Sequence, residues 1–306
     1  MPPTKVLLTD DISSLSVKGR KRSHQLRNLA AHLCQALEAQ LHFLYVEDIP
    51  EHLRKRKLLA PLDKRSPQMI TQLKEDLDKV SPESEVHIES GHPLEGILKW
   101  IKKNSPNLVV IGTRGLSGIG KIFLGSVAEE VIRHSTVPVV VVGPKVKKAG
   151  FATKGKKQRI LLLTDLTSAS KPAEDFARKL AKSTDARVTI FHSVGDAIMH
   201  VKEVFLHSRI PIYSLDKQIA EMKRWGREET TKRVDQFKKD GIVTTGQVVT
   251  EEREIEKELK RELESDYDLL IMGTHSRNKL LTSFLGSTAR NACLTSPVPV
   301  VVVRSI

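Results

Sequence analysis

The segment Asn107–Val142 aligns with Asp268–Val303 at a constant offset of 161 residues and without a gap. Fifteen of the 36 positions are identical, among them Gly112/Gly273, Phe123/Phe284, Gly125/Gly286, Ser126/Ser287 and Pro138/Pro299. A second match joins the beginnings of the halves, where Val6–Asp10 (VLLTD) corresponds to Leu161–Asp165 (LLLTD). A chain that repeats itself over this length folds as two copies of one unit. The 306 residues leave about 150 for each copy, enough for one core apiece.

Each half alternates apolar strand runs with amphipathic helix patterns, which predicts a parallel sheet covered on both faces. In the first half, strands are expected at Lys5–Thr9, Leu41–Val46, Glu85–Glu89, Leu108–Gly112 and Val137–Val142. Helices are expected at Leu26–Ala39, Pro67–Val80, Leu94–Lys103 and Ser126–His134. The second half repeats the order, with strands at Ile160–Thr164, Arg187–His192, Val243–Val249, Leu269–Gly273 and Val298–Val303. Its helices are expected at Pro172–Ser183, Leu215–Lys239, Glu252–Glu264 and Ser287–Leu294, and the extra stretch Ser193–Ser214 reads as a short amphipathic helix covering the sheet edge. The expected division is a domain over 1–144, a Lys- and Gly-rich linker over 145–158, and a domain over 159–306. Both copies end in apolar strands that invite pairing. The linker would let those two strands meet as an intramolecular pseudo-dimer, and a homodimer of whole chains is left open.

The formal charge of +13 raises the question of a polyanionic partner. Much of the excess sits in two runs, Lys18–Arg22 and Lys145–Arg159, which read as a solvated loop and the linker. Aromatics are 4%, so stacking platforms for single strands are few, and no helix-turn-helix, zinc-finger or RNP pattern occurs. These features argue against nucleic acid. Cys34 and Cys293 make no disulfide framework, and the eleven histidines show no metal-ligand spacing, so no metal is expected. Met1–Lys5 leads straight into a strand without an apolar leader, and runs such as Val137–Val142 are too short to cross a bilayer. The expectation is a cytoplasmic protein with no membrane partner.

One loop carries the chemistry. After the fourth strand the first half reads Gly112-x2-Gly115-x9-Gly125-Ser126, with Ser126 opening a helix. Glycines allow positive φ and close approach of the backbone to a ligand. A helix N-terminus offers free N–H groups to an anion, and the carboxyl end of a parallel strand is where open α/β sheets bind ligands. Arg114 and Lys121 add cationic side chains. Gly115–Lys121 also spells most of a Walker A loop, but Ile122 stands where the Mg²⁺-binding hydroxyl belongs. There is no G-x-S-x-G elbow, and Thr9–Ser14 lacks the glycines of an adenylating loop, so no catalytic residue is named.

The spacing G-x2-G-x9-G-[S/T] resembles the ATP-binding signature of the universal stress protein family, and the resemblance spans nearly the whole chain. It includes the strand-end Asp, Gly91-His92-Pro93 and the terminal Val-Pro-Val-Val-Val. The resemblance implies two Rossmann-like five-stranded parallel-sheet domains of order 3-2-1-4-5 in tandem. It implies ATP as the ligand, with or without Mg²⁺. Asp10, with Thr9 beside it, would contact the nucleoside, and Val46 would line the adenine. The main chain of Gly112, Gly115, Gly125 and Ser126 would hold the phosphates, with Val127 just behind. Asp10 has a plainer alternative, that of capping the following turn.

In the second half Ser276 replaces the second glycine, and Lys279 and Leu281 replace Gly118 and Gly120. A weakened or structural second site is expected there, with His275, Arg277 and Lys279 as alternative anion ligands. The function implied is a nucleotide-dependent stress or regulatory module acting on an unknown protein partner. The alternatives are a slow ATP hydrolase and a nucleotide-free adaptor.

Overall fold

The computed structural model describes residues 4–12, 17–49, 53, 67–113, 124–147, 157–207, 212–274 and 285–305. The first half runs β1 (Thr4–Thr9), α1 (Val17–Leu37), β2 (Ala39–Asp48), α2 (Pro67–Asp78), β3 (Glu85–Gly91), α3 (Pro93–Asn104), β4 (Leu108–Gly112), α4 (Ser126–His134) and β5 (Val139–Val142). The second runs β6 (Arg159–Leu163), α5 (Lys171–Thr184), β7 (Arg187–Ser193), α6 (Gly195–His207), α7 (Ile212–Lys239), β8 (Thr244–Val249), α8 (Ile255–Glu262), β9 (Leu269–Gly273), α9 (Ser287–Thr295) and β10 (Val300–Val303).

All ten strands join one sheet, ordered β3-β2-β1-β4-β5-β10-β9-β6-β7-β8. Each half has the order 3-2-1-4-5, as expected. Every pairing is parallel except β5 with β10, where the halves meet antiparallel. There Val140 faces Val301, its own counterpart at the repeat offset of 161, so a local two-fold axis passes through the seam. Pairing the last strands removes two apolar edges that would otherwise face water.

The strands at the centre are β-branched and buried on both faces, as in Val139–Val142 and Val300–Val303. Helices α1, α2, α5 and α7 cover one face with Leu26, Leu29, Leu33, Leu77, Leu180 and Phe237. Helices α3, α4, α8 and α9 cover the other with Ile97, Trp100, Val131, Leu259 and Ala289. Cys34 and Cys293 are free and buried, and desolvation pushes both thiols up to about 12.

Three expectations are corrected. Helix α1 begins at Val17, so Lys18–Arg22 is helical rather than a loop. Lys and Arg are good helix formers, and apolar periodicity starts only where the helix reaches the sheet. The strand before the seam begins at Val139, because Ser135 Oγ accepts from Val137 N–H at 3.2 Å and donates to Val137 O at 2.7 Å. Ser296 repeats this turn at Val298. The Ser193–Ser214 stretch does form a helix, α6, but it buries mainly its first turn and leaves Val204 and Leu206 exposed. It is α7 that packs on β7 and β8.

The seam has its own contacts. Gly143 lies so close to Cys293 that a Cβ would fall 2.2 Å from the Cys293 carbonyl oxygen. Lys147 N–H donates to Pro297 O at 3.0 Å, and Arg290 forms a salt bridge with Glu129. Linker residues 148–156 lie outside the described residues. No helix among the described residues is long and apolar enough to cross a membrane.

Candidate functional site

In each half the chain leaves its first strand in one direction and returns to place the fourth on the other side, which opens a crevice at the carboxyl ends. In the first half this is the junction of β1 and β4, where Thr9 pairs with Ile111 and, across the strand, with Leu44 of β2. Thr9 and Asp10 therefore end β1 at the level where β4 ends in Gly112. Both are buried, at 6% and 8% exposure. Val46 is buried on the same end of β2, and Gly96 of α3 rests against it; a Cβ on Gly96 would fall 2.9 Å from Val46 Cγ2.

The loop frame is held at both ends. Thr113 N–H donates to Val142 O at 3.3 Å, and Gly125 N–H donates to Thr113 O at 2.8 Å. That clasp brings Gly125, the N-cap of α4, back beside the end of β4. The cap has no side-chain hydrogen bond, so among the described residues no capping side chain satisfies the first N–H groups of α4, at exposed Ser126 and half-buried Val127. Gly115, Arg114, Gly118, Gly120 and Lys121 lie outside the described residues. Of the sequence-predicted positions, the structure thus brings Thr9, Asp10, Gly112, Gly125 and Ser126 to one crevice, with Val127 behind and Val46 on its flank.

The positive φ expected of glycine is absent at Gly112, while Gly125 opens the helix as expected without needing glycine's conformational freedom. Gly112 is an ordinary strand residue, and Gly125 has φ −61° and ψ 144°, an extended conformation open to any residue. What Gly112 provides is space: a Cβ there would sit 3.3 Å from Leu26 Cδ1 and 3.7 Å from Arg22 Nε. Arg22 is the site residue that sequence reading overlooks. It lies one helical turn before Leu26 on the same face of α1, and its Nη2 is 4.0 Å from Asp10 Oδ1. Extending the helix period back from Leu26 would have found it.

Burial pushes the Asp10 carboxyl above the usual carboxylate range, against the opposing hydrogen bond of Ser23 and the Arg22 guanidinium. Asp10 Oδ2 is buried with no hydrogen-bond partner among the described residues, and so is Arg22 Nε. A desolvated carboxylate beside an underused guanidinium is a costly arrangement for a purely structural pair.

The second half uses the same frame differently. Gly286 N–H donates to Thr274 O at 3.1 Å, and Thr274 N–H to Val303 O at 3.2 Å, so the loop ends are clasped alike. The expected match of Asp10 with Asp165 is off by one: Thr9 is level with Leu163, so Thr164 takes the place of Asp10 and Asp165 that of Asp11. Asp165 serves its own turn: Oδ1 accepts from Thr167 N–H at 2.9 Å, Thr167 Oγ1 at 2.8 Å and Ser170 Oγ at 2.7 Å. Its other oxygen, Oδ2, is buried without a partner, as in Asp10. Thr164 donates to buried Glu174 at 2.8 Å, and Arg233 from α7 ties down the residue after Asp165 by donating to Leu166 O at 3.0 Å. Leu166 is held at φ 63°, a left-handed conformation that a branched residue rarely adopts. At the start of α9 the hydroxyls of Ser287 and Thr288 donate to Glu256 Oε1 at 3.4 and 3.3 Å. In the first half Val127 stands where Thr288 does, and cannot donate. Ser276 lies outside the described residues.

Two doubly wound units, each with a glycine-bounded loop between its fourth strand and last helix, define a tandem α/β protein of the Rossmann-like class. A model of the universal stress protein family matches residues 15–143 and again residues 157–304. Universal stress protein YxiE of Bacillus subtilis is 27% identical over 142 residues, which cover 42% of this chain and 95% of that protein. Universal stress protein MJ0531 of Methanocaldococcus jannaschii is 29% identical over 150 residues, covering 45% and 81%. Among solved structures, a universal stress protein from Archaeoglobus fulgidus shares the fold across 99% of each chain, with a TM-score of 0.66 at 20% identity. The chain belongs to the universal stress protein family, with one family domain in each half.

Proposed function

We propose that the first half binds ATP at the junction of β1 and β4, and that the bound state serves a regulatory role in the stress response. In this reading Asp10, flanked by Thr9, takes the ribose hydroxyls, and Val46 lines the base. The main chain from Gly112 through Gly115 to Gly125 and Ser126 holds the phosphates, with Val127 behind and Mg²⁺ carried by the nucleotide where present. Arg22 adds a cation at the crevice. The reading is supported above all by Asp10: a desolvated carboxylate with one oxygen unpartnered among the described residues, at the end of β1 next to β4, which leads on to a helix start without a side-chain cap. Hydroxyls from a ligand would supply the missing partner, and phosphates would meet the free amides.

A thermal-unfolding titration with ATP tests this. At about 100 times the dissociation constant, binding should add roughly 2.7 kcal/mol. Gly115→Val should abolish the shift, while Ser276→Ala should leave it intact. A chain that gains no stability from ATP would contradict the reading and leave the adaptor role.

A further inference from the structure

We infer that His42, Glu85 and His87 form a binding site for one divalent transition cation, with Zn²⁺ the best fit, at the outer edge of the first half's sheet. In the register of β2 with the edge strand β3, His42 stands opposite Glu85 and Leu44 opposite His87. The two-residue alternation of strands then puts all three side chains on the face covered by α3. Trp100 of α3 packs on both imidazoles, with centroids at 5.4 and 5.5 Å, and the two rings stack at 5.4 Å.

The donor atoms converge. His42 Nδ1 lies 3.2 Å from His87 Nε2 and 3.4 Å from Glu85 Oε2, and His87 Nε2 lies 3.5 Å from the same oxygen. Tetrahedral Zn²⁺, with bonds of about 2.0–2.2 Å to nitrogen and oxygen, sets its ligands roughly 3.3–3.5 Å apart. The triangle is therefore already the size of one face of a zinc tetrahedron. A cation about 2 Å from each donor would sit just out of their plane, leaving a fourth position for water. Gln40 Nε2 donates to the other Glu85 oxygen at 3.1 Å, which orients the carboxylate and leaves Oε2 turned to the histidines. His42 is buried while Glu85 is half exposed, so the site is rigid on one side and reachable from solvent on the other.

This place is separate from the crevice: His42 precedes Val46 by four residues on β2, toward the opposite end of the strand. It is also absent from the duplicate. The matching register of β7 and β8 sets Thr189 opposite Thr245 and Phe191 opposite Gln247, so the second half offers none of the three ligands.

The test uses the full chain, stripped with a chelator and titrated with Co²⁺, whose visible absorption reports tetrahedral coordination, followed by displacement with Zn²⁺. One equivalent should bind. In a Trp225→Phe background, where Trp100 is the remaining indole, Co²⁺ should quench its emission. Glu85→Gln, at an exposed position, and His87→Gln should each weaken binding by at least the roughly 10–100-fold typical of altered outer-shell partners, with circular dichroism unchanged. Absence of tetrahedral Co²⁺ absorption, or Co²⁺ affinity that survives both substitutions, would overturn the site and leave a hydrogen-bonded trio only.

Discussion

The two halves share a frame and differ in how they use it. At the end of β6 the protein fills much of the crevice itself: one oxygen of Asp165 binds its own turn, Glu174 takes Thr164, Arg233 takes Leu166 O, and Glu256 faces the start of α9. At the end of β1 Asp10 stands level with Thr164 in the register and is buried beside Arg22, with one oxygen unpartnered among the described residues. Asp165 also keeps one such oxygen, and both α4 and α9 begin without a side-chain cap, so the halves differ in the residue that ends the first strand and in the bonds around it. Duplication copied a scaffold, and divergence then filled the second crevice with internal bonds that the first does not have among the described residues. Self-satisfaction favours stability; unsatisfied groups favour binding.

The comparison can be broken most severely at the seam. Gly143 has Arg304 as its counterpart, so only the first half brings bare backbone against Cys293 O. Gly143→Val should cost about 3 kcal/mol or more in chemical denaturation, because the clash is with main chain that cannot rotate away. Arg304→Ala should be nearly neutral.

The next effect separates the two aspartates. Asp10→Asn should remove most of the roughly 2.7 kcal/mol that saturating ATP adds, without lowering the stability of the free protein at pH 7. Asp165→Ala should do the reverse: it should cost about 1–3 kcal/mol by stranding Thr167 and Ser170, and leave the ATP shift in place. Equal responses from the two variants would erase the distinction drawn here.

A smaller effect is a pH signature. Because the folded state raises the Asp10 carboxyl pKa, its contribution to stability is fully present below the ordinary carboxylate value and is lost as pH rises through the raised one. Asp10→Asn should therefore gain on the wild type as pH rises from about 4 toward neutrality, as read by denaturation midpoints. An advantage that instead shrinks with rising pH would show that Arg22 outweighs burial.

Smallest is the charge pair across the seam. Glu129 and Arg290 are counterparts at the repeat offset, so a pairing of two identical halves would set like charges together. Arg290→Glu should cost less than about 1 kcal/mol, since the arginine is half exposed, and Glu129→Arg in the same chain should restore it.

Much of this fold is legible in the chain. The repeat sets the topology, and the valine runs mark the seam strands. Helix α1 is harder, since its first turns are Lys and Arg with no apolar stripe, and Arg22 was hidden there. The Asp165 turn is partly written, since Asp165-x-Thr167 has a hydroxyl two residues on, but the match of VLLTD with LLLTD misplaces the strand ends by one residue, because the register sets Asp10 level with Thr164. The His42, Glu85 and His87 cluster could not be read from spacing, because strand pairing joins residues more than forty apart.

A crystal of the full chain grown with saturating ATP is the most direct measurement of the central claim. The account predicts nucleotide between β1, β4 and α4, with a ribose hydroxyl on Asp10 and phosphates on the amides leading into Ser126, and an empty crevice after β6. Nucleotide seated only in the second half, or Arg22 and Asp10 closed over a vacant first crevice, would contradict it.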